Sequence, residues 1–282
     1  MHIRYAAAGL AILLVSGLSG AAHAAELKLL VGNALKTVMD ELGPQFEKAT
    51  GSTLSVTVGT TTQLKGRIDN GEAFDAVILA KPVLDELAGQ GKVVDSTREV
   101  IARSGIGVAV RKGAPKPDLG SDDAFKQAML DAKSIGYVDQ TPTAAALKSL
   151  FVKLGIADAM KSKTKPLNMQ AAVAVANGDV ELGLTQISEI LPYPGVDLAG
   201  PLPADIQTYT TFAGGVGAAA QDANGAAALI KFLTGPNAAP VIKGKGMEPG
   251  EAGKRAKGGA RLRRGLPKNA RISPMYLAVP LA

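Results

Sequence analysis

Cysteine is absent from all 282 residues, and the two histidines, His2 and His23, both fall within the first 24. Without cysteine there is no disulfide framework, no thiolate chemistry and no residue to carry a thioether-linked lipid. From residue 25 onward there is no imidazole either. Ser-His-Asp and Cys-His nucleophilic sites and most zinc sites are thereby excluded, and neither a resident metal nor another cofactor is expected. Tryptophan is missing, and aromatic residues make up 4% of the chain, too few to interleave with basic residues as a nucleic-acid surface requires. After residue 24 no apolar run is long enough to cross a bilayer.

What is present begins with a targeting segment. Residues 1–4 are short and weakly basic, residues 6–18 are apolar, and Ala22-His23-Ala24 fits the small-x-small cleavage pattern. Residues 1–24 therefore read as a cleavable signal peptide; a membrane anchor would need a longer apolar run. The mature chain is expected to be exported, and it is long enough to bury a substantial core in two domains. Its positive charge is local. The whole chain carries +6 and residues 251–282 carry +7, from eight Lys and Arg against Glu251, so residues 1–250 sum to −1. A nucleic-acid or anionic-lipid function would have to reside in that tail, whose run Arg261-Leu262-Arg263-Arg264 is of a kind usually solvated. The composition predicts a disordered tail at 251–282, and no nucleic-acid partner.

Along the body, strands and helices alternate. Residues 26–31 read as a strand, and Gly32-Asn33-Ala34 as a turn. Leu35, Val38, Met39, Leu42, Phe46 and Ala49 follow at helical spacing, with Gly51 as the stop. Pro44 is expected to kink or split that helix. Residues 54–58 alternate as a half-buried strand, 64–70 form a short helix, and 74–80 are apolar nearly throughout, as a strand covered on both faces would be. Pro82 suits the first turn of the helix that follows. Residues 106–110 begin a second such unit, with strands at 135–138 and 182–185 and helices at 125–132, 144–154 and 168–177. An extended run at 207–212 leads back, Gly214-Gly215-Val216-Gly217 is permissive backbone, and helices at 224–233 and 238–245 close the body.

The fold class is thus α/β, two-lobed, each lobe a mostly parallel sheet flanked by helices. Residues 25–105 with 213–250 form one lobe and 106–212 the other, joined by two crossings with a cleft between them. In such sheets ligands bind beyond the carboxyl ends of the strands. The turns at Asn33/Ala34, Thr60-Thr61-Thr62, Ala80/Lys81, Thr141/Thr143 and Thr185/Gln186 all follow strands, so they can share one rim. Thr60 to Thr62 sit where the first helical N–H groups lack partners, a place suited to an anion; equally, one threonine can simply cap the helix. Asp75, Asp139 and Glu189 are scattered and read as caps or surface charges, so an enzyme is not expected.

Residues 26–250 resemble the periplasmic molybdate-binding proteins of ABC importers. Phe46-Glu47-Lys48-Ala49-Thr50-Gly51 carries the likeness, with residues 64–71 running into Phe74-Asp75-Ala76-Val77-Ile78-Leu79-Ala80, then Leu182-Gly183-Leu184 and Gly246-Met247-Glu248-Pro249. The resemblance implies a periplasmic, monomeric binding protein whose lobes close on a small anion and present it to an inner-membrane permease. It also implies a site of neutral donors. The family's first-turn serine falls at Ala34, beside Asn33, and its second-turn serine at Thr61, with Thr62 next to it. Its second-lobe backbone donors fall at Thr143 and Met169, and its tyrosine at Gln186. One hydroxyl is thus lost, one is kept as threonine and one becomes an amide. A small organic carboxylate is the alternative ligand, with Lys81 as counter-ion; the plainer reading of Lys81 is a solvated lysine.

Overall fold

The computed structural model describes residues 26–250. The signal peptide read at 1–24 and the basic tail at 251–282 lie outside the described residues. The first half runs β1 (Glu26–Gly32), α1 (Lys36–Thr50), β2 (Thr53–Gly59), α2 (Thr61–Asp69), β3 (Ala76–Ala80) and α3 (Lys81–Gly89). Then come β4 (Glu99–Arg111), α4 (Asp122–Asp131), β5 (Ile135–Val138), α5 (Pro142–Lys153), α6 (Ala157–Lys163), β6 (Thr164–Leu167), α7 (Ala171–Asn177), β7 (Leu182–Gln186), α8 (Ile187–Ile190) and β8 (Val196–Pro201). The chain returns through β9 (Tyr209–Val216) and ends in α9 (Ala223–Leu233), α10 (Ala238–Gly244) and β10 (Glu248–Pro249).

The strands join in the order β2-β1-β3-β9-β4-β7-β5-β6, with β8 and β10 beside β4. The outer triplets β2-β1-β3 and β7-β5-β6 are parallel, while β9 and β4, which carry the chain across and back, pair antiparallel with their neighbours. Helices cover both faces, so the inner strands are buried on both sides. In β1, Leu29 and Val31 enter one apolar cluster and Leu30 enters another; in β3, Ile78 and Val77 divide the same way. A separate pair of clusters is drawn from residues between Ile106 and Ile206, among them Val108, Phe125, Leu147 and Leu184 on one side and Ala109, Val175 and Ile190 on the other. The two-step period of a strand distributes its side chains between the two helical layers.

The long strand β4 serves both clusters. Its residues 99–105 pair with β9, and residues 106–111 pair with β7 and β8. At the change of partner, the Gln207 side chain accepts from the Ile106 amide at 2.8 Å and donates to the Ile106 carbonyl at 3.0 Å.

Several local expectations need correction. Helix α1 runs through Pro44 without splitting. Pro44 lies on the exposed face, where water can take the carbonyl that the ring leaves without a donor. Gly214 and Gly215 belong to strand β9 and are small because the layers press close. A Cβ on Gly214 would lie 2.6 Å from Ile230 Cδ1, and one on Gly215 would lie 2.6 Å from Val93 Cγ1. The elements α6, β6 and β8 had no clear sequence signal; β6 is a four-residue strand holding Pro166 and paired on one side by β5, a position that tolerates a missing donor.

Candidate functional site

Six strand-to-helix turns from the two halves meet at one cavity. Its wall takes Asn33 and Ala34 after β1, Thr60 and Thr61 after β2, and Ala80 at the end of β3. From the other side come Val138, Thr141, Pro142 and Thr143 around the start of α5, Gln170 before α7, and Leu184, Thr185, Gln186 and Glu189 around the end of β7. Thr210 and Phe212 of the crossing strand β9 complete it. The cavity volume is about 60 Å³, several times the roughly 10–15 Å³ that a single water needs.

The threonine turn divides its labour. Thr60 is the N-cap of α2: its hydroxyl accepts from the Gln63 amide at 3.1 Å, and the Gln63 side chain accepts from the Thr60 amide at 2.9 Å. This closed capping box leaves Thr61 for the cavity. Thr61 is buried, and its oxygen accepts a long 3.4 Å bond from the Ala80 amide, so its hydroxyl proton still lacks an acceptor. Thr62 points elsewhere, donating to the Gln140 carbonyl at 2.7 Å.

On the opposite wall, Thr141 is fully engaged. It caps α5 by accepting from Ala144 at 3.1 Å and donates to Val138 at 2.9 Å. Gln186 is 3% exposed, and its amide nitrogen donates to Thr143 at 2.9 Å and to Thr210 at 3.0 Å. Both of those hydroxyls therefore keep their protons for another partner. The other end of the same amide, Gln186 Oε1, is buried with no partner. Together, Thr61, Thr143 and Thr210 offer neutral hydroxyl donors. The starts of α2 and α5 add unpaired backbone N–H groups with the positive end of each helix dipole.

Among the described residues, no lysine or arginine lines this cavity. Lys81 is not at the wall; its ammonium pairs with Asp85 at 2.6 Å, one turn along α3, and it is half-exposed. That bond, first, holds the Asp85 carboxyl below the usual carboxylate range. Met169 is exposed, and the wall takes its neighbour Gln170 instead. Of the residues singled out from the sequence, then, Asn33, Ala34, Thr61, Thr143 and Gln186 come together, and Thr62, Lys81 and Met169 do not.

The three scattered acids have three different fates. Asp139 pairs with Lys148 at the surface. Asp75 is buried and accepts from the amides of Lys28, Gln221 and Asp222 at 2.8, 2.6 and 3.0 Å. Glu189, read from sequence as a cap or surface charge, stands at the cavity wall and accepts from the Thr185 hydroxyl. Burial pushes its carboxyl upward from the usual range, partly opposed by bonds from Thr185 and the Gln186 backbone. The one sequence signal for it was the four-residue step from Thr185 to Glu189 just past a strand end, which returns the side chain to the same face.

A family description, bacterial extracellular solute-binding protein, matches residues 27–248. The chain is 31% identical over 249 residues to a protein named aconitate isomerase from a Pseudomonas species, covering 86% of this chain and 95% of the relative. It is 30% identical over 245 residues to the molybdate-binding protein ModA of Azotobacter vinelandii, covering 81% and 92%. The solved periplasmic molybdate-binding protein of Azotobacter vinelandii superposes with a TM-score of 0.68 at 21% identity, covering 78% of this chain and 98% of that one. The absence of histidine and cysteine, which argued against an enzyme, does not bear on chemistry done by a partly buried carboxyl such as that of Glu189.

Proposed function

Because the chain belongs to the bacterial extracellular solute-binding proteins, we propose that it captures a small oxyanion, molybdate-like in size, for delivery to an ABC importer. The observation that carries this reading is the cavity itself. Turns from two halves of the sheet converge there with three uncommitted hydroxyl protons and two helix starts, and among the described residues no cation stands at the wall. Neutral donors and peptide dipoles can hold a compact anion without a counter-ion. A tetrahedral oxyanion has five heavy atoms, a compact guest for a cavity of about 60 Å³. Capture would close residues 25–105 and 213–250 onto 106–212 by bending β4 and β9 where β4 changes partner, near Gly105 and Ile106.

Calorimetric titration of the exported protein with molybdate, tungstate and sulfate tests this. Micromolar or tighter binding of at least one is expected; no heat with any of them would refute it.

A second reading is a small organic acid as ligand, and it rests on Glu189 at the wall together with the relative named aconitate isomerase. Lys81 has no part in it, being held by Asp85. A six-carbon tricarboxylate needs more room than this cavity has, so the two halves would have to stand further apart. A carboxylate panel in the same calorimeter, with NMR of unsaturated tricarboxylates for double-bond migration, separates the two readings.

A further inference from the structure

Among the described residues, Glu189 is the only ionisable side chain on the cavity wall. An incoming anion therefore meets a carboxyl group and no balancing cation. An ionised carboxylate facing an anion in a confined space repels it, because low dielectric magnifies the unfavourable charge. Gaining a proton removes that repulsion.

The surroundings supply no other remedy. Helix α8, which carries Glu189, packs against β4, β7, β8 and the 33–35 turn. Strand β7 and that turn hold no ionisable side chain. On β4, Arg103 pairs with Glu248, and Glu99 and Arg111 are exposed at its two ends. On β8, Asp197 accepts from the Gly113 amide at 2.8 Å. Beyond α10, Lys245 pairs with Glu41 at 2.7 Å. The Glu189 carboxyl is raised by burial and partly lowered by bonds from Thr185 and the Gln186 backbone.

Resting on the oxyanion-capture reading, we propose that the site takes up its anion together with one proton from solvent, held between Glu189 and the bound anion. Whether the proton sits on the carboxyl oxygen or the ligand oxygen is immaterial to the linkage: the complex holds one more proton than the separated anion and ionised site. The site is then a proton-coupled trap, favouring capture in an acidic compartment and release in an alkaline one.

The probes are molybdate and sulfate, both deprotonated near neutrality. With the full exported protein, affinity should fall with rising pH once the Glu189 carboxyl of the unliganded site has ionised, above the usual carboxylate range, approaching tenfold per unit for one linked proton. Glu189→Gln should flatten that profile, because the amide cannot ionise. Calorimetry of the wild type in two buffers of different ionisation heat should count close to one proton taken up where the affinity is falling. Firm anion binding with a flat profile and no proton uptake overturns the proposal and leaves the capture reading standing. Failure to bind either anion at any pH removes both. The wild-type proton count decides the matter even if Glu189→Gln does not fold.

Discussion

The hydroxyl of Thr62 donates to the carbonyl oxygen of Gln140 at 2.7 Å, joining turns 78 residues apart in the chain. One turn opens α2 and the other precedes α5, so the bond ties one half of the sheet to the other. Gln140 holds it from a left-handed backbone at φ 56°, which is uncommon without glycine. The bond exists only when the two halves are this close. Thr62→Val should therefore weaken anion affinity about fivefold, the worth of an exposed hydrogen bond near 1 kcal/mol. Most of the loss should appear as faster dissociation in stopped-flow displacement.

Neighbouring threonines should separate stability from affinity. Thr60→Ala removes the N-cap of α2 and should lower the unfolding free energy by about 1 kcal/mol. Thr61→Val keeps the shape but removes a hydroxyl donor from the cavity, at a cost of about 1–3 kcal/mol in binding, or roughly fivefold to 150-fold in Kd. Thermal melts and calorimetry on the two variants would show the crossed pattern.

Lys81→Met tests the counter-ion expectation directly. The ammonium is paired with Asp85 and half-exposed, so anion affinity should change by less than about twofold, and stability by at most about 1 kcal/mol. A tenfold loss of affinity would show that Lys81 reaches the ligand after all.

Glu189 also carries a stability signature. Its folded-state carboxyl titrates above its unfolded range, so the folded protein binds this proton more tightly. Its stabilising share is complete below the unfolded carboxyl range, near about pH 4.3, and is lost as pH rises through the folded value. Relative to wild type without ligand, Glu189→Gln should gain melting temperature from acidic to neutral pH, and the difference should level off above the folded titration.

Pro44 lies inside α1 on its solvent face. Replacing it with alanine restores a donor to the helix and relieves the clash with the preceding turn, so Pro44→Ala should raise stability by about 1–3 kcal/mol. Denaturant unfolding with an unchanged m-value is the check.

Much of this molecule is written in local pattern. The alternation of β1, the all-apolar β3 and the helical spacing of α1 each follow from which residues repeat at which period, and those periods specify a covered α/β sheet. Thr60 to Thr62 and Thr141 to Thr143 stood out because a strand stop beside a helix start leaves N–H groups open whatever surrounds them. The i,i+4 spacing of Lys81 and Asp85 was also legible, and it already offered the lysine a nearer partner than any ligand.

Other features had no local signal. Short edge strands such as β6 exist because a neighbour pairs with them, and nothing in four residues containing a proline announces that neighbour. Thr62 turned out to bridge the halves while Thr61 faced the cavity, a difference of one residue whose outcome depends on how the two halves meet. Glu189 is the clearest case. Its spacing from Thr185 is a matter of sequence, but its protonation depends on how much water and which charges surround it, and those come from β4, β8 and a turn more than 150 positions away. Periodicity and capping are short-range and travel with the chain; desolvation is a property of volume, and only the assembled fold sets it.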